Sequence, residues 1–121
     1  MRIRHKLWLE DEAGVLFGEG RQELLKAVAE LGSLSAAAKR LDMGYRAAWG
    51  RIRASESRLG IKLLKPAASG RGLVLTPEGQ KLLERFSLFE AEVSKAIETI
   101  GRRIFGQDPN FGLGQDETEK D

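Results

Sequence analysis

Apolar positions change their spacing several times along the chain, and each change marks an element. Ile3, Leu7 and Leu9 stand among Arg4, His5, Lys6 and Trp8, a strand-like stretch over residues 3–9. Glu10-Asp11-Glu12-Ala13-Gly14 reads as a polar turn and Val15-Leu16-Phe17 as a second short strand, so a β-hairpin is expected first. Gly18-Glu19-Gly20 breaks that pattern. Leu24, Leu25, Val28 and Leu31 then recur at helical spacing, and Gly32 sits where a left-handed cap is expected, giving a helix over about 21–31.

Ser35 is read as the N-cap of a short second helix, Ala36 to Leu41, rich in alanines that allow close helix approach. Asp42-Met43-Gly44 forms a tight turn, and a third helix follows from Tyr45 to Leu59, stopped by Gly60. Two short helices joined by a glycine-containing turn are a helix-turn-helix. Ile61 to Pro66 and Leu73-Val74-Leu75 read as paired strands around the small, flexible segment Ala67-Ala68-Ser69-Gly70-Arg71-Gly72. A hairpin in that position is a wing. Thr76 then caps the last helix, with Pro77 at its first position and Glu78 in a first turn that favours an acid.

In that last helix Leu82, Phe86, Phe89, Val93, Ala96 and Ile100 alternate in steps of four and three for nearly three heptads. A helix from Pro77 to Ile104 is about 42 Å long at 1.5 Å per residue, too long for so small a domain to cover. A second copy of the chain is the expected partner along those six residues. The fold class is therefore mainly α with small β-hairpins: a winged helix-turn-helix with an N-terminal hairpin and a long C-terminal dimerisation helix. The domain is expected over residues 1–105, with residues 106–121 an acidic, disordered tail.

Charge sharpens this picture. The 121 residues carry a net +2, but that figure hides two blocks. Lys39 to Arg71 holds nine basic residues (Lys39, Arg40, Arg46, Arg51, Arg53, Arg58, Lys62, Lys65 and Arg71) against Asp42 and Glu56, a net +7. Residues 108–121 hold five acids and one Lys, a net −4. With no Cys, disulfides, thiolate metal sites and a cysteine nucleophile are excluded. His5 is the single His, too few for a triad or a His-based metal site, and no nucleophile, base and orienting group fall together. Neither an enzyme nor a cofactor or metal is expected. No apolar run approaches the roughly 18 residues needed to span a bilayer and no export signal is visible, so a cytoplasmic, nucleoid-associated protein without membrane contact is expected.

On a 100° wheel Ala48, Ile52, Ser55 and Leu59 of the third helix face the core. Arg46, Gly50, Arg53 and Ser57 lie opposite, with Ala47 and Ala54 beside them. Small residues between two arginines allow close approach to a groove. Arg is shaped to grip guanine O6 and N7 with two hydrogen bonds, and equally able to hold phosphates without reading sequence. Outward arginines on a helix are commonly just solvated. Here the helix-turn-helix spacing, the +7 block and the basic glycine-rich hairpin converge on double-stranded DNA. Trp49 is read as a core filler rather than a stacking platform. Tyr45, at the start of the helix, is open to either a packed ring or a hydroxyl on a phosphate or base edge. Ser35 and Lys39 on the second helix suit phosphate contact, a pure cap being the alternative for Ser35, and Lys65 is a further candidate at the wing.

Gly32-Ser33-Leu34-Ser35-Ala36-Ala37-Ala38-Lys39-Arg40-Leu41 resembles the first half of the helix-turn-helix of LysR-type regulators. So do Leu59-Gly60-Ile61-Lys62-Leu63-Leu64 and Leu75-Thr76-Pro77-Glu78-Gly79. Met43-Gly44-Tyr45-Arg46-Ala47-Ala48-Trp49 is similar to the recognition segment of the ModE family of molybdate-responsive regulators, and the resemblance covers about residues 3–105. It implies a homodimer on a roughly two-fold symmetric promoter site, with the recognition helix in the major groove and the wing on the backbone or minor groove. By position it implies Ser35, Lys39, Tyr45, Arg46 and Ser69 to Gly72 as DNA contacts, whereas Arg53 comes from the wheel alone. ModE proteins carry molybdate in C-terminal domains with a Ser-Ala-Arg-Asn type motif. That motif does not occur here, so a stand-alone DNA-binding half is expected, its signal entering through an unidentified partner or effector. A sequence-tolerant architectural DNA binder and a winged-helix protein-interaction module are the alternative readings.

Overall fold

The computed structural model describes residues 2–106; the acidic segment from Asp108 onward lies outside the described residues. Two compact units emerge. One is Leu7–Phe86, and the other brings residues 2–6 together with residues 87–106.

Within the first unit the chain runs β1 (Trp8–Asp11), β2 (Gly14–Gly18), α1 (Glu19–Leu31), α2 (Leu34–Arg40), α3 (Tyr45–Leu59), β3 (Leu64–Pro66), β4 (Leu73–Leu75) and the start of α4 (Pro77–Phe105). The mainly helical, winged architecture is the one the apolar spacing predicts. The first hairpin begins later than expected, at Trp8 rather than Ile3, because its turn is set by Asp11. The Asp11 carboxylate accepts from the backbone N–H groups of Ala13 and Gly14 at 2.8 and 3.2 Å, closing the turn over Glu12-Ala13. Trp8 then faces Gly18, where a Cβ would lie 2.7 Å from the Trp8 Cβ.

Helix α1 starts at Glu19, two residues before the expected bound, with extended Gly18 as its N-cap; Gly20 does not break it. Its far end is the expected one, with Gly32 at φ 86° donating to the Val28 carbonyl. Helix α2 corrects the expected cap. Ser33, not Ser35, is extended, and its Oγ accepts from the Ala36 N–H at 3.1 Å. Burial decides between the two serines. Leu34 is wholly buried, and starting the helix there puts Leu34, Ala37 and Ala38 on one inward face. Ser33→Ala is therefore expected to cost about 1 kcal/mol in urea unfolding, and Ser35→Ala almost nothing. Equal losses would overturn the assignment.

Helix α3 spans Tyr45–Leu59 as expected, ended by Gly60 at φ 73°. Phe17, Leu24, Leu25, Leu34, Ile52 and Leu63 are fully buried and form the core with Leu83 and Phe86. Phe86 sets its ring edge-on to Phe17 at 5.2 Å.

Strand β3 begins at Leu64 rather than Ile61 because the preceding backbone is already engaged. The buried Glu56 carboxylate accepts from Leu63 N–H at 2.8 Å and Leu64 N–H at 3.2 Å. Thr76 donates its N–H to the Leu63 carbonyl at 3.0 Å and its hydroxyl to the Lys62 carbonyl at 2.6 Å. The same hydroxyl accepts from Gly79 N–H at 2.9 Å, capping α4 as the Thr-Pro-Glu-Gly run predicts.

In the second unit Gly101 is buried, and a Cβ built there would strike the Ile3 side chain, so residues 2–6 run against this stretch of α4. Phe89, Ile100 and Ile104 are exposed at 44, 45 and 56%. Among the described residues no helix is long and apolar enough to cross a membrane.

Candidate nucleic-acid interface

The interface residues sit on α2, α3 and the second hairpin, all within the Leu7–Phe86 unit. In α3 a buried stripe fixes the rotation of the helix. Ala48, Ile52 and Ser55 are buried, so Arg46, Ala47, Gly50, Arg53 and Ser57 face outward and are exposed. Tyr45 begins the helix with its ring 45% exposed. Trp49 is half-buried against the core, and the Arg53 guanidinium lies over its ring, 5.4 Å from the centroid. That stacking holds Arg53 in one region of space for about 0.5–1 kcal/mol at an exposed site. The outer face is thus two arginines spaced by side chains no larger than a methyl or hydroxymethyl.

Ser35 and Lys39 are exposed on α2, and Lys65 is exposed on β3. The wing turn closes through Ala67 N–H to the Gly72 carbonyl and Gly70 N–H to the Ala67 carbonyl, at 3.0 and 2.9 Å. Gly70 and Gly72 adopt φ of 82° and 76°, which only glycine takes readily. Ser69, Gly70, Arg71 and Gly72 are all exposed. A Cβ at Gly72 would lie 3.3 Å from the Ser33 Cβ. The base of the wing therefore meets the start of α2, two residues from Ser35.

Two residues of the basic block have roles the sequence pattern did not disclose. Glu56 is buried and clamps the backbone entering the wing; its signal was its wheel position, about 40° from Ile52 at the edge of the core. Arg58 turns inward, donating Nη1 to the Val15 carbonyl of the first hairpin at 2.9 Å. Arg21, outside that block, donates Nε to the Arg51 carbonyl at 3.2 Å. Its pKa is lowered from the ordinary arginine value by burial first, and then by the charges of Arg58 and Arg51.

The six apolar residues expected at a dimer contact divide between the units. Phe86 is in the core and Leu82 packs against it. Phe89, Val93, Ala96 and Ile100 lie in the second unit, where Phe89, Ala96 and Ile100 are exposed.

A family model described as bacterial regulatory helix-turn-helix protein, lysR family, matches residues 21–80. That span is α1 through the first turn of α4, and so contains the whole helix-turn-helix and wing. Among curated proteins the chain is 33% identical over 97 residues to the molybdenum-pterin-binding protein MopB of Rhodobacter capsulatus, covering 78% of this chain and 36% of that one. It is 27% identical over 106 residues to the molybdenum transport protein ModE of Azotobacter vinelandii, covering 85% and 39%. The chain thus spans a little over a third of the length of these relatives. Among solved structures it is similar to the DNA-binding domain of CbnR in complex with DNA, with TM-score 0.52 and 33% identity over 68% of this chain and 94% of that one. It is also similar to the BenM DNA-binding domain on its benA site 1 DNA, with TM-score 0.54 and 25% identity over 69% and 94%.

Proposed function

Because the chain belongs to the LysR family of bacterial regulatory helix-turn-helix proteins, we propose that it is a sequence-specific transcriptional regulator that binds a two-fold symmetric promoter site as a homodimer. The observation that carries this reading is the outward face of α3, where Arg46 and Arg53 stand exposed beside Ala47, Gly50 and Ser57. Helix α3 enters the major groove, and the small neighbours let the two guanidinium groups reach base edges. Arg53 arrives stacked on Trp49, so less side-chain freedom is lost on contact. Tyr45 supplies a hydroxyl at the start of the helix. Ser35 and Lys39 hold phosphates on one side, and Lys65 with Ser69 to Gly72 hold them on the other; these contacts position the reader without reading.

The second copy docks along Phe89, Val93, Ala96 and Ile100 of α4. Leu82 and Phe86, expected on that seam, pack into each protomer's own core instead. A protein of this kind works in the cytoplasm, on the nucleoid.

Binding of a duplex selected from a random pool is expected to weaken by about three orders of magnitude between 50 and 200 mM salt, as release of counterions from six or more phosphates demands. Light scattering should give twice the 13.4 kDa chain mass. A monomer at high micromolar concentration overturns the dimer, and salt-independent binding overturns the DNA reading. Equal affinity for selected and random duplexes at one salt concentration would instead identify a sequence-tolerant architectural binder.

A further inference from the structure

Three arginines meet where α1, α3 and the first hairpin pack together. Arg21 is tied to the Arg51 carbonyl and Arg58 to the Val15 carbonyl, each through one N–H of the five a guanidinium carries. The hairpin lies directly on Arg58. A Cβ at Gly14, which has φ 140°, would be 2.7 Å from the Arg58 guanidinium carbon. The Arg51 side chain is exposed, and its charge, like that of Arg58, is near enough to Arg21 to lower that guanidinium's pKa, after burial as the first cause. Among the described residues no ion pair joins any of these three charges to a carboxylate.

Like charges held together by backbone carbonyls, with Arg21 and Arg58 part-buried, are a costly arrangement unless something negative completes it. Guanidinium forks are shaped for the paired oxygens of phosphate-like groups. The cluster is also separate from the reading face. On the α3 wheel Arg51 and Arg58 lie about 140° around from Arg46 and Arg53.

We propose that Arg21, Arg51 and Arg58 form a binding site for a tetrahedral oxyanion of the phosphate type. Such a group has two sources: a phosphodiester of a bound duplex, which rests on the DNA-binding reading, or a free inorganic anion, which does not. Arg21 and Arg58 are the fixed walls, held by the carbonyls. Arg51 is the third donor, and its own fold contact is made by its backbone and not its side chain.

The test uses the full chain and the variants Arg51→Gln and Arg51→Glu. Thermal unfolding is followed in sodium sulfate and in sodium chloride of equal ionic strength. The wild type is expected to gain a saturable rise in Tm specific to sulfate, about 10 °C at a hundredfold excess over Kd. Arg51→Gln should keep only the gradual rise that sulfate gives folded proteins generally. Its Tm in low salt should equal or exceed that of the wild type, since a repulsion has been removed. Arg51→Glu puts a carboxylate where the anion would sit, so it should melt above Arg51→Gln in low salt and ignore sulfate.

The duplex arm separates the sources. If the phosphate belongs to DNA, Arg51→Gln lowers the slope of log affinity against log salt by about one per engaged protomer. An unchanged slope, with the sulfate response present in the wild type and lost in Arg51→Gln, assigns the site to a free anion. A chain that binds no duplex leaves the sulfate arm readable, so the two readings fail separately. Identical sulfate responses in wild type and Arg51→Gln, with identical salt slopes, overturn the site.

Discussion

Replacing Arg46 and Arg53 together by Ala is expected to weaken binding to a selected duplex about 10²- to 10³-fold while leaving the fold in place. A good two-pronged arginine–guanine contact is worth about 1–3 kcal/mol, and two lost together account for that range. The fold survives because both side chains are exposed. Only the stacking of Arg53 on Trp49 is lost within the protein, about 0.5–1 kcal/mol. The change should also flatten preference between selected and random duplexes, because base edges rather than phosphates are abandoned. Fluorescence anisotropy on both duplexes at one salt concentration reads this directly. Unchanged affinity would remove α3 as the reading helix, and retained partner binding with no duplex binding would favour a protein-interaction module.

The second large effect concerns stability. Gly79→Ala is expected to destabilise the chain by about 3 kcal/mol, the upper end of the range for overpacking a tight site. In an open helical position the same change would help by about 1 kcal/mol, since Ala is the better helix former. Gly79 is not open. Its Cβ would fall 2.5 Å from the Leu63 carbonyl oxygen, and 3.2 Å from the carbonyl carbon. These are backbone atoms, and Thr76 already binds that same oxygen. Relief would require pulling the first turn of α4 away from the Lys62-Leu63 backbone, breaking the Thr76 bonds to the Lys62 and Leu63 carbonyls. A fall in Tm of more than 10 °C is expected. Gly20 in α1 is the control, with nothing within 4 Å of its Cβ position; Gly20→Ala should hold or raise Tm. Matching behaviour of the two variants would sink the steric account.

Elements with local signals were legible in the residues. Gly32 and Gly60 close their helices, α3 keeps its bounds, and Thr76-Pro77 opens α4, because each signal acts within one turn of chain. The α2 cap was misread because Ser33 and Ser35 are locally equivalent. Only the burial of Leu34, a tertiary fact, separates them. Ile3 looked like strand because apolar and polar residues alternate around it, yet Asp11 closes the turn too early for Ile3 to pair. The four-three spacing of Leu82 to Ile100 states that one face of α4 is apolar, and not what covers it. Phe17 covers Phe86. At the interface, exposure of Arg46 and Arg53 followed from the wheel, whereas Arg58 and Glu56 spend their charges on backbone groups distant in sequence. Charge counting assigns a sign to a segment but no direction to a side chain.

Glu56 sits three residues beyond Arg53 on the same helix, and its carboxylate grips the two N–H groups that open β3. Thr76 secures the same short stretch from the other side. Reader and wing therefore share one anchor, and neither can swing without dragging the other. On the reading proposed above, the chain behaves as a caliper with its jaws locked: the interval between the step met by α3 and the step met by the wing is constant on any duplex it engages. Sites differing by one base pair in that interval should be rejected as firmly as sites with the wrong base.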